Sequence, residues 1–132
     1  MLVGIIPASW LAPLHTVLLI VTGLLFLEHG TTKLFEFPLT DAFKDGVALF
    51  SFMGLTGALE VVGGLLIIVG LFTRATAFVL AGMMAVAYFM AHAPKSFFPV
   101  VNVGDLAIMF CFVFLYLAAA GAGPYSLDEN WK

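Results

Sequence analysis

Residues 57–74 read GALEVVGGLLIIVGLFTR, and this stretch decides the fold. It lies inside an apolar run, carries a single acid, Glu60, and ends in a short glycine-containing break before Arg74. Because the break is so short, the helices on its two sides must be antiparallel neighbours. Gly57, Glu60 and Gly64 fall at i, i+3 and i+7. This spacing puts them on one helix face, where a second backbone can approach closely and shield the carboxyl group from lipid.

The composition of the whole chain indicates whether these helices lie in water or in a membrane. The protein has 132 residues, of which 63% are hydrophobic and 10% are charged. An ordinary soluble domain is about 45–50% apolar and about 25% charged, so this composition is typical of an integral membrane protein. The formal net charge of −3 offers no basic patch for nucleic acid. The single cysteine, Cys111, cannot form an intramolecular disulfide.

Four apolar stretches each approach the roughly 20 residues that a helix needs to cross a bilayer. They divide the chain into helices at about 13–35, 47–72, 75–93 and 101–121 and a polar tail at 122–132. The connections between the stretches are short, which favours antiparallel packing of consecutive helices. The sequence therefore predicts an all-α fold: a transmembrane four-helix bundle with up-down-up-down topology, forming a single integral-membrane domain over residues 1–132.

The charges in the loops do not orient this bundle in the membrane. With four crossings, both termini and the second loop lie on one side, and the first and third loops lie on the other. The terminal side carries Arg74 and Lys132, whereas the other side carries Lys33, Lys44 and Lys95. The positive-inside rule hardly discriminates between these two counts. Arg74 is interpreted as an interfacial anchor.

Polar residues converge on one half of the predicted bundle, because the end of helix one, the end of helix three and the start of helix four point the same way. The candidates for a ligand-binding or proton site are His29, Lys33, Glu60, Tyr88, His92, Asn102 and Asp105. Glu60 lies near the middle of its helix, where a charge costs about 2.5–3.5 kcal/mol on insertion scales. We therefore expect Glu60 to face the bundle and to pair with His29, Lys33 or His92.

Each of these residues also has an ordinary interpretation. Lys33 lies at a helix end, from which its ammonium can reach the headgroups, and a single histidine at the interface needs no ligand. The convergence, however, exceeds what anchoring requires, and ionisable groups inside a membrane mark functional sites by default. The sequence thus predicts a polar intramembrane site and no dedicated metal site, and it does not decide whether the protein is an enzyme.

Four segments form an ordered set: FLEHGTTKLF at 26–35, GALEVVGGLLIIVGLFTR at 57–74, AYFMAHAPKSFFPVVNVGD at 87–105 and AGAGPYSLD at 120–128. Together they resemble the DoxX family of small bacterial inner-membrane proteins. The resemblance implies a multi-pass, four-helix protein of the bacterial inner membrane with cytoplasmic termini. The family's motif positions correspond to His29, Gly30, Lys33, Glu60, Gly63, Gly64, Arg74, His92, Asn102 and Asp105. Asp105 stands where family members often have Glu, so its carboxylate has a shorter reach.

The resemblance implies a quinone- or redox-linked membrane component that acts with a partner protein. The residues are compatible with this function, because a quinone site needs an apolar slot, hydrogen-bond donors and a proton route. The chain has no Cys-x-x-Cys motif and no glycine-rich dinucleotide turn, so electrons would come from a bound cofactor or a redox partner. Two alternatives stay open: a non-catalytic accessory, assembly or small-solute-handling membrane protein, and a metal- or haem-binding membrane protein. A homo-oligomer is compatible with each of them.

Overall fold

The computed structural model describes residues 4–132, and every regular element in that part of the chain is helical. The helices are Leu11–Phe35 (α1), Phe52–Val69 (α2), Thr73–Ala87 (α3), Pro99–Asn102 (α4), Asp105–Ala120 (α5) and Leu127–Asn130 (α6). A π-helical turn at Tyr88–His92 continues α3. Short 3-10 turns precede α1 at Ala8–Trp10 and follow the π-helical turn at Ala93–Lys95.

Three helical segments are long and apolar enough to cross a membrane, as judged by length and composition. They are Ala8–Phe35, Phe52–Val69 and Thr73–Lys95. Helix α5 is also apolar but has only 16 residues. These segments are the structural basis for regarding the chain as a membrane protein in contact with lipid.

Helix α2 is shorter than the predicted helix at 47–72, and its two ends explain the difference. At the start, the side chain of Ser51 accepts a hydrogen bond of 3.1 Å from the backbone N–H of Gly54. This is an N-cap, so the helix begins at Phe52 rather than five residues earlier. At the other end, Gly70 adopts a φ of +66°, a left-handed conformation that terminates helices and that glycine adopts without strain.

The helix predicted at 101–121 is interrupted near its start, which is the largest difference from the sequence-based expectation. Asn102 is fully buried, and its side-chain oxygen accepts a 2.8 Å hydrogen bond from the backbone N–H of Gly104. Such a local bond competes with the helical hydrogen bonds of the backbone. Val103, between the two residues, has a φ of +59°. The chain therefore forms α4, a break and then α5.

The other two predicted helices differ less from the observed ones. Helix α1 begins at Leu11, against a predicted start at residue 13, and it ends at Phe35. Helix α3 begins at Thr73 rather than at residue 75, and the helical path continues through the π-helical turn to His92. The wider π turn ends just before Pro94, which has no backbone N–H to continue the hydrogen-bond pattern.

Helices α1 and α2 pack closely along their length, because glycines of one face glycines of the other. A Cβ atom on Gly23 would lie 2.9 Å from the carbonyl oxygen of Gly64. A Cβ atom on Gly30 would lie 2.8 Å from the carbonyl oxygen of Gly57. The earlier glycine of α1 thus faces the later glycine of α2, so the two helices are antiparallel. Any side chain at these positions would push the backbones apart.

Helix α3 packs mainly against α5, and the two helix pairs meet around an apolar core. The largest fully buried apolar side chains of this core are Phe26, Ile67, Leu80, Phe114 and Leu117. The rings of Phe26 and Phe114 contact edge to face with centroids 4.9 Å apart, which joins α1 to α5. The core fills the centre of the molecule and leaves a cavity between the pairs at one end.

Candidate functional site

A buried ion pair joins α1 to α2. The ammonium nitrogen of Lys33 lies 2.7 Å from Oε1 of Glu60, and the two side chains are 12% and 4% exposed. The expected pairing of Glu60 with one of three cationic candidates is therefore confirmed, and the partner is Lys33. The face that carries Gly57 and Gly64 is what brings Glu60 against α1. A charge-assisted hydrogen bond of this length is strong, because neither group is exposed to much solvent.

The second carboxylate oxygen of Glu60, Oε2, is buried and accepts no hydrogen bond from any group in residues 4–132. A carboxylate has capacity for several donors, and only Lys33 supplies one here. An unsatisfied buried acceptor costs about 1–3 kcal/mol. The Lys33–Glu60 pair is thus satisfied on one side only.

A cavity of about 370 Å³ lies beside this ion pair, between the end of α1, the start of α2, the π-helical turn and the start of α5. Its volume falls within the range of small-molecule sites in proteins. We call it the inter-helix cavity. Its wall is mainly apolar, and its polar lining residues are His29, Lys33, Thr56, Glu60 and His92.

Methionines and phenylalanines form most of the apolar wall. Four of the chain's six methionines line the cavity: Met53, Met83, Met84 and Met90. Methionine is flexible and polarizable, so a wall of this kind adapts to the shape of a ligand. The sequence interpretation missed these residues, although their clustering at 83–90 was a readable signal. Phe43, in the loop after α1, adds a ring whose centroid is 6.0 Å from the Lys33 ammonium.

His92 is held in place by a second polar group of residues, which Asn102 organises. The Nδ1 atom of His92 lies 3.0 Å from the carbonyl oxygen of Asn102. The Asn102 amide donates to the hydroxyl of Tyr88 at 3.2 Å and to the carbonyl oxygen of Ser96 at 2.9 Å. The Tyr88 ring is stacked on the His92 ring with an interplanar angle of 21°. Since the Asn102 side chain is fully engaged, it orients its neighbours.

The seven candidate residues therefore do not form one cluster. Those that meet at the inter-helix cavity are His29, Lys33, Glu60 and His92. Tyr88 and Asn102 lie behind His92 and are not part of the cavity wall. Asp105 is exposed on the first turn of α5, outside the wall.

At the opposite end of the molecule, the tail after α5 folds back onto the turn between α2 and α3. The two oxygens of Asp128 accept hydrogen bonds of 2.7 Å from the Phe72 N–H and 2.9 Å from the Thr73 N–H. Burial alone raises the pKa of Asp128, but the hydrogen bonds from Thr73 and Phe72 outweigh it, so the pKa lies below its usual range. The Asp128 carboxylate thus caps the start of α3.

Arg74 and His15 complete the contacts at this end. The guanidinium of Arg74 donates to the last carbonyl oxygens of α5, those of Ala118, Ala119 and Ala120. His15 forms a 2.8 Å hydrogen bond between Nε2 and the Gly121 carbonyl oxygen. We call the contacts of Asp128, Arg74 and His15 the terminal clasp. Positive groups at a helix C-terminus and negative groups at an N-terminus both stabilise helix ends.

The ligand types of a metal centre do not come together in the part of the chain that the structure describes. Among residues 4–132, no group of three or more His, Cys, Asp and Glu side chains is placed to hold a metal ion. The metal-ion alternative therefore receives no support from this geometry, whereas a haem needs only one or two axial ligands and is not tested by it.

The chain is similar to known proteins over most of its length. The DoxX family model matches residues 14–93, which include the Lys33–Glu60 pair and His92. An uncharacterized protein of Haemophilus influenzae is 40% identical over 115 residues, which cover 85% of this chain and 86% of that protein. No solved structure matches. The chain belongs to the DoxX family.

Proposed function

We propose that this protein binds a small, ring-bearing ligand of the quinone type in the inter-helix cavity and acts as a redox-linked component with a partner protein. The observation that carries the proposal is the buried Lys33–Glu60 pair on the wall of an apolar cavity of about 370 Å³. An apolar pocket with a few convergent polar groups is the usual form of a small-molecule site. Ionisable groups at membrane depth favour a site over an anchor.

The proposal includes four membrane crossings in up-down-up-down order, in the bacterial inner membrane and with cytoplasmic termini. Helix α5 alone is about 24 Å long, less than the roughly 30 Å of a bilayer core. Residues 99–120, which combine α4 and α5, reach further. The break between these helices is compatible with membrane depth, because its backbone donors stay paired within the protein: the N–H groups of Val103 and Gly104 both bond to the Pro99 carbonyl oxygen.

The residues of the cavity fit the proposed ligand. Lys33 and His29 supply donors, and Glu60 supplies an acceptor and a titratable proton site, while the apolar wall excludes water. A bound quinone would supply reversible two-electron chemistry at this site. The protein would hold and orient the ring and exchange protons, and the partner would exchange electrons.

One observation favours a second function, that of a non-catalytic accessory protein. The Asn102 side chain is buried and engaged in hydrogen bonds to Tyr88, Ser96 and Gly104, which is what a structural lock requires. In this view the Lys33–Glu60 pair would also serve only to hold α1 against α2. The two functions differ in whether the cavity binds a ligand.

The test of the proposed function is ligand binding by the purified protein in detergent. Lipid-soluble compounds that copurify are identified by mass spectrometry, and the binding of a short-chain benzoquinone is measured by calorimetry. The variant Ala87→Leu places extra volume in the cavity wall, whereas Ala85→Leu adds the same volume to α3 outside the wall.

We expect the quinone to bind the wild-type protein and Ala85→Leu alike. Ala87→Leu should weaken binding by about tenfold or more, because an overfilled site must deform to accept the ring. No quinone binding, together with no copurifying ring compound, would favour the accessory function. Equal binding to both alanine variants would show that the ring binds elsewhere.

A further inference from the structure

We infer that the inter-helix cavity opens sideways into the lipid, between α2 and the π-helical turn, and that its ligand carries an apolar tail which lies in this opening. We call the opening the lateral portal and define it by Met53 on α2 and Met90 in the π-helical turn. The choice of a ring as the other end of the ligand rests on the proposed function. The portal and the tail rest on the exposure of the cavity wall.

The first argument is that the residues of the lateral portal belong both to the cavity wall and to the outer surface. Met53 and Met90 line the cavity, yet their side chains are 39% and 61% exposed. Phe52, the neighbour of Met53 in the same wall, is exposed as well. A closed cavity would bury the residues that line it. The exposure of these three residues therefore indicates that the cavity reaches the surface of the bundle at this point.

The second argument is the change in packing between α2 and α3 along their length. Near the middle of α2 the two helices are in close contact, since a Cβ atom on Gly63 would lie 2.8 Å from a methyl carbon of Leu80. Nearer the start of α2, the cavity is lined from both sides, by Met53 of α2 and by Met83 and Met90 of the facing helical path. Close contact thus gives way to cavity on the side where the portal lies.

The third argument is that aromatic rings stand across the other sides of the cavity. Between α1 and α5, the Phe110 ring contacts His29 and Phe26 edge to face, with centroids 6.1 Å and 5.3 Å apart. Beyond the helix ends, Phe43 of the loop after α1 contributes to the wall. Leu106 on α5 also lines the cavity and is exposed, so the α1–α5 side is the competing exit for a tail.

The lateral portal lies within the apolar spans of the chain. Met53 belongs to Phe52–Val69 and Met90 to Thr73–Lys95, two of the segments that are long and apolar enough to cross a membrane. Exposed side chains of such segments contact acyl chains. A ligand with an apolar tail can therefore leave the tail in lipid while its ring occupies the cavity. Methionine side chains are unbranched and flexible, so Met53 and Met90 can move aside as the ligand passes.

The test is photolabelling of the wild-type protein in lipid nanodiscs with a benzoquinone whose alkyl tail ends in a diazirine. Labelled residues are mapped by mass spectrometry, with and without an excess of the same tailed quinone lacking the diazirine. We expect the labelling that the excess quinone removes to lie around Met53 and Met90. Labelling that persists reports tails in bulk lipid, and its reference position is Met109, an exposed residue of α5 outside the cavity wall.

The outcomes separate the inference from the proposed function. Competed labelling around Leu106, or in the loop after α1, would overturn the inference and leave the proposed function standing, because the ring binds while its tail takes another route. The same conclusion follows if a tail-free benzoquinone binds in calorimetry but no labelling is competed. If no labelling is competed and the tail-free benzoquinone does not bind either, both are wrong.

The substitution Met90→Trp tests the lateral portal by kinetics. A large, rigid side chain narrows the opening, so the association rate of the tailed quinone, measured by stopped flow in nanodiscs, should fall about fivefold or more. Met109→Trp is the matched control, because Met109 is 62% exposed, as Met90 is, but lies outside the cavity wall. Its association rate should equal that of the wild type. An unchanged rate in Met90→Trp would contradict the inference. If that variant does not fold, the labelling of the wild type decides.

Discussion

The two ends of the molecule treat their polar groups differently. In the terminal clasp, both oxygens of Asp128 accept backbone N–H groups and Arg74 donates to three carbonyl oxygens. At the inter-helix cavity, one oxygen of Glu60 is paired and the other is not. The Asp128 and Arg74 side chains of the clasp are matched within the chain, although the Thr73 hydroxyl at the same end is buried without a partner in residues 4–132. An unmatched acceptor alone therefore does not distinguish the two ends; the cavity end differs in that it buries an ion pair between two helices.

The largest effect should follow from breaking the ion pair of the cavity end. Lys33→Met leaves the Glu60 carboxylate buried without a partner, and we expect a loss of about 3–5 kcal/mol in unfolding free energy. Denaturant titration in mixed micelles measures this loss of unfolding free energy. The double variant Lys33→Met/Glu60→Leu should recover most of the loss, since no charge is then buried. Lys44→Met, in the exposed loop, should change stability by less than about 0.5 kcal/mol. A Lys33→Met protein as stable as the control would show that the pair is not formed.

A smaller effect should follow from removing the fully matched group behind His92. Asn102→Ala leaves the Ser96 carbonyl oxygen without its donor and removes the shorter of two hydrogen bonds of the Gly104 N–H, which keeps the Pro99 carbonyl oxygen at 3.2 Å. We therefore expect a loss of about 1–3 kcal/mol in the same titration. Ligand binding should weaken as well, because the backbone carbonyl of residue 102, which contacts Nδ1 of His92, is no longer held in place by the Asn102 side chain. Asn130→Ala, on the exposed surface of α6, is the control. Unchanged stability in Asn102→Ala would mean that the break before α5 does not depend on this amide.

The smallest effect should come from the terminal clasp and should depend on pH. Asp128→Asn weakens the cap of α3, and we expect a loss of about 0.5–2 kcal/mol at pH 7. The pKa of Asp128 is lower in the folded protein than in the unfolded chain, so its stabilising contribution is present above the unfolded pKa of about 3.9 and is lost as the pH falls through the lower folded pKa.

Unfolding of the wild type and of Asp128→Asn, followed from pH 7 to pH 3, checks this sign. The difference between the two proteins should shrink below about pH 4. A difference that stays constant or grows towards acid pH would contradict the cap. Ligand binding at the distant cavity should be the same in both proteins, which sharpens the contrast between the two ends.

The parts of this structure that could be predicted from the sequence are those for which the alternative has a large free-energy cost. A carboxyl group near the middle of an apolar helix must be paired, and the glycines on its face determine which side approaches another helix. These two facts were enough to predict that Glu60 faces the bundle and pairs with one of His29, Lys33 and His92; that the partner is Lys33 on α1 comes from the structure. The long apolar helices follow from composition in the same way.

The parts that could not be predicted depend on local competition between side chain and backbone. The amide of Asn102 replaces helical hydrogen bonds and breaks the last long helix at Val103, and periodicity carries no signal of this. Because of this break, Asn102 lies behind His92 and Asp105 is exposed on the surface. The residues predicted to form one cluster therefore lie in three places: at the cavity, in the buried hydrogen bonds of Asn102, and on the surface. The docking of the tail did have a signal, because Ser126 and Glu129 have the spacing of a capping box, and Ser126 accepts from the Glu129 N–H.

The glycine contacts between α1 and α2 have a consequence for biogenesis. On its own, α2 would carry an unpaired acid into lipid as it leaves the ribosome, at a cost of about 2.5–3.5 kcal/mol on insertion scales. The antiparallel packing of Gly23 on Gly64 and of Gly30 on Gly57 lets Lys33 reach Glu60 within one helical hairpin. The two segments can then partition into the bilayer together as a pair whose charges cancel. We therefore expect newly made α1 to remain beside the translocation channel until α2 has emerged. A bulky residue at Gly30 should then reduce the fraction of chains inserted into the membrane during synthesis.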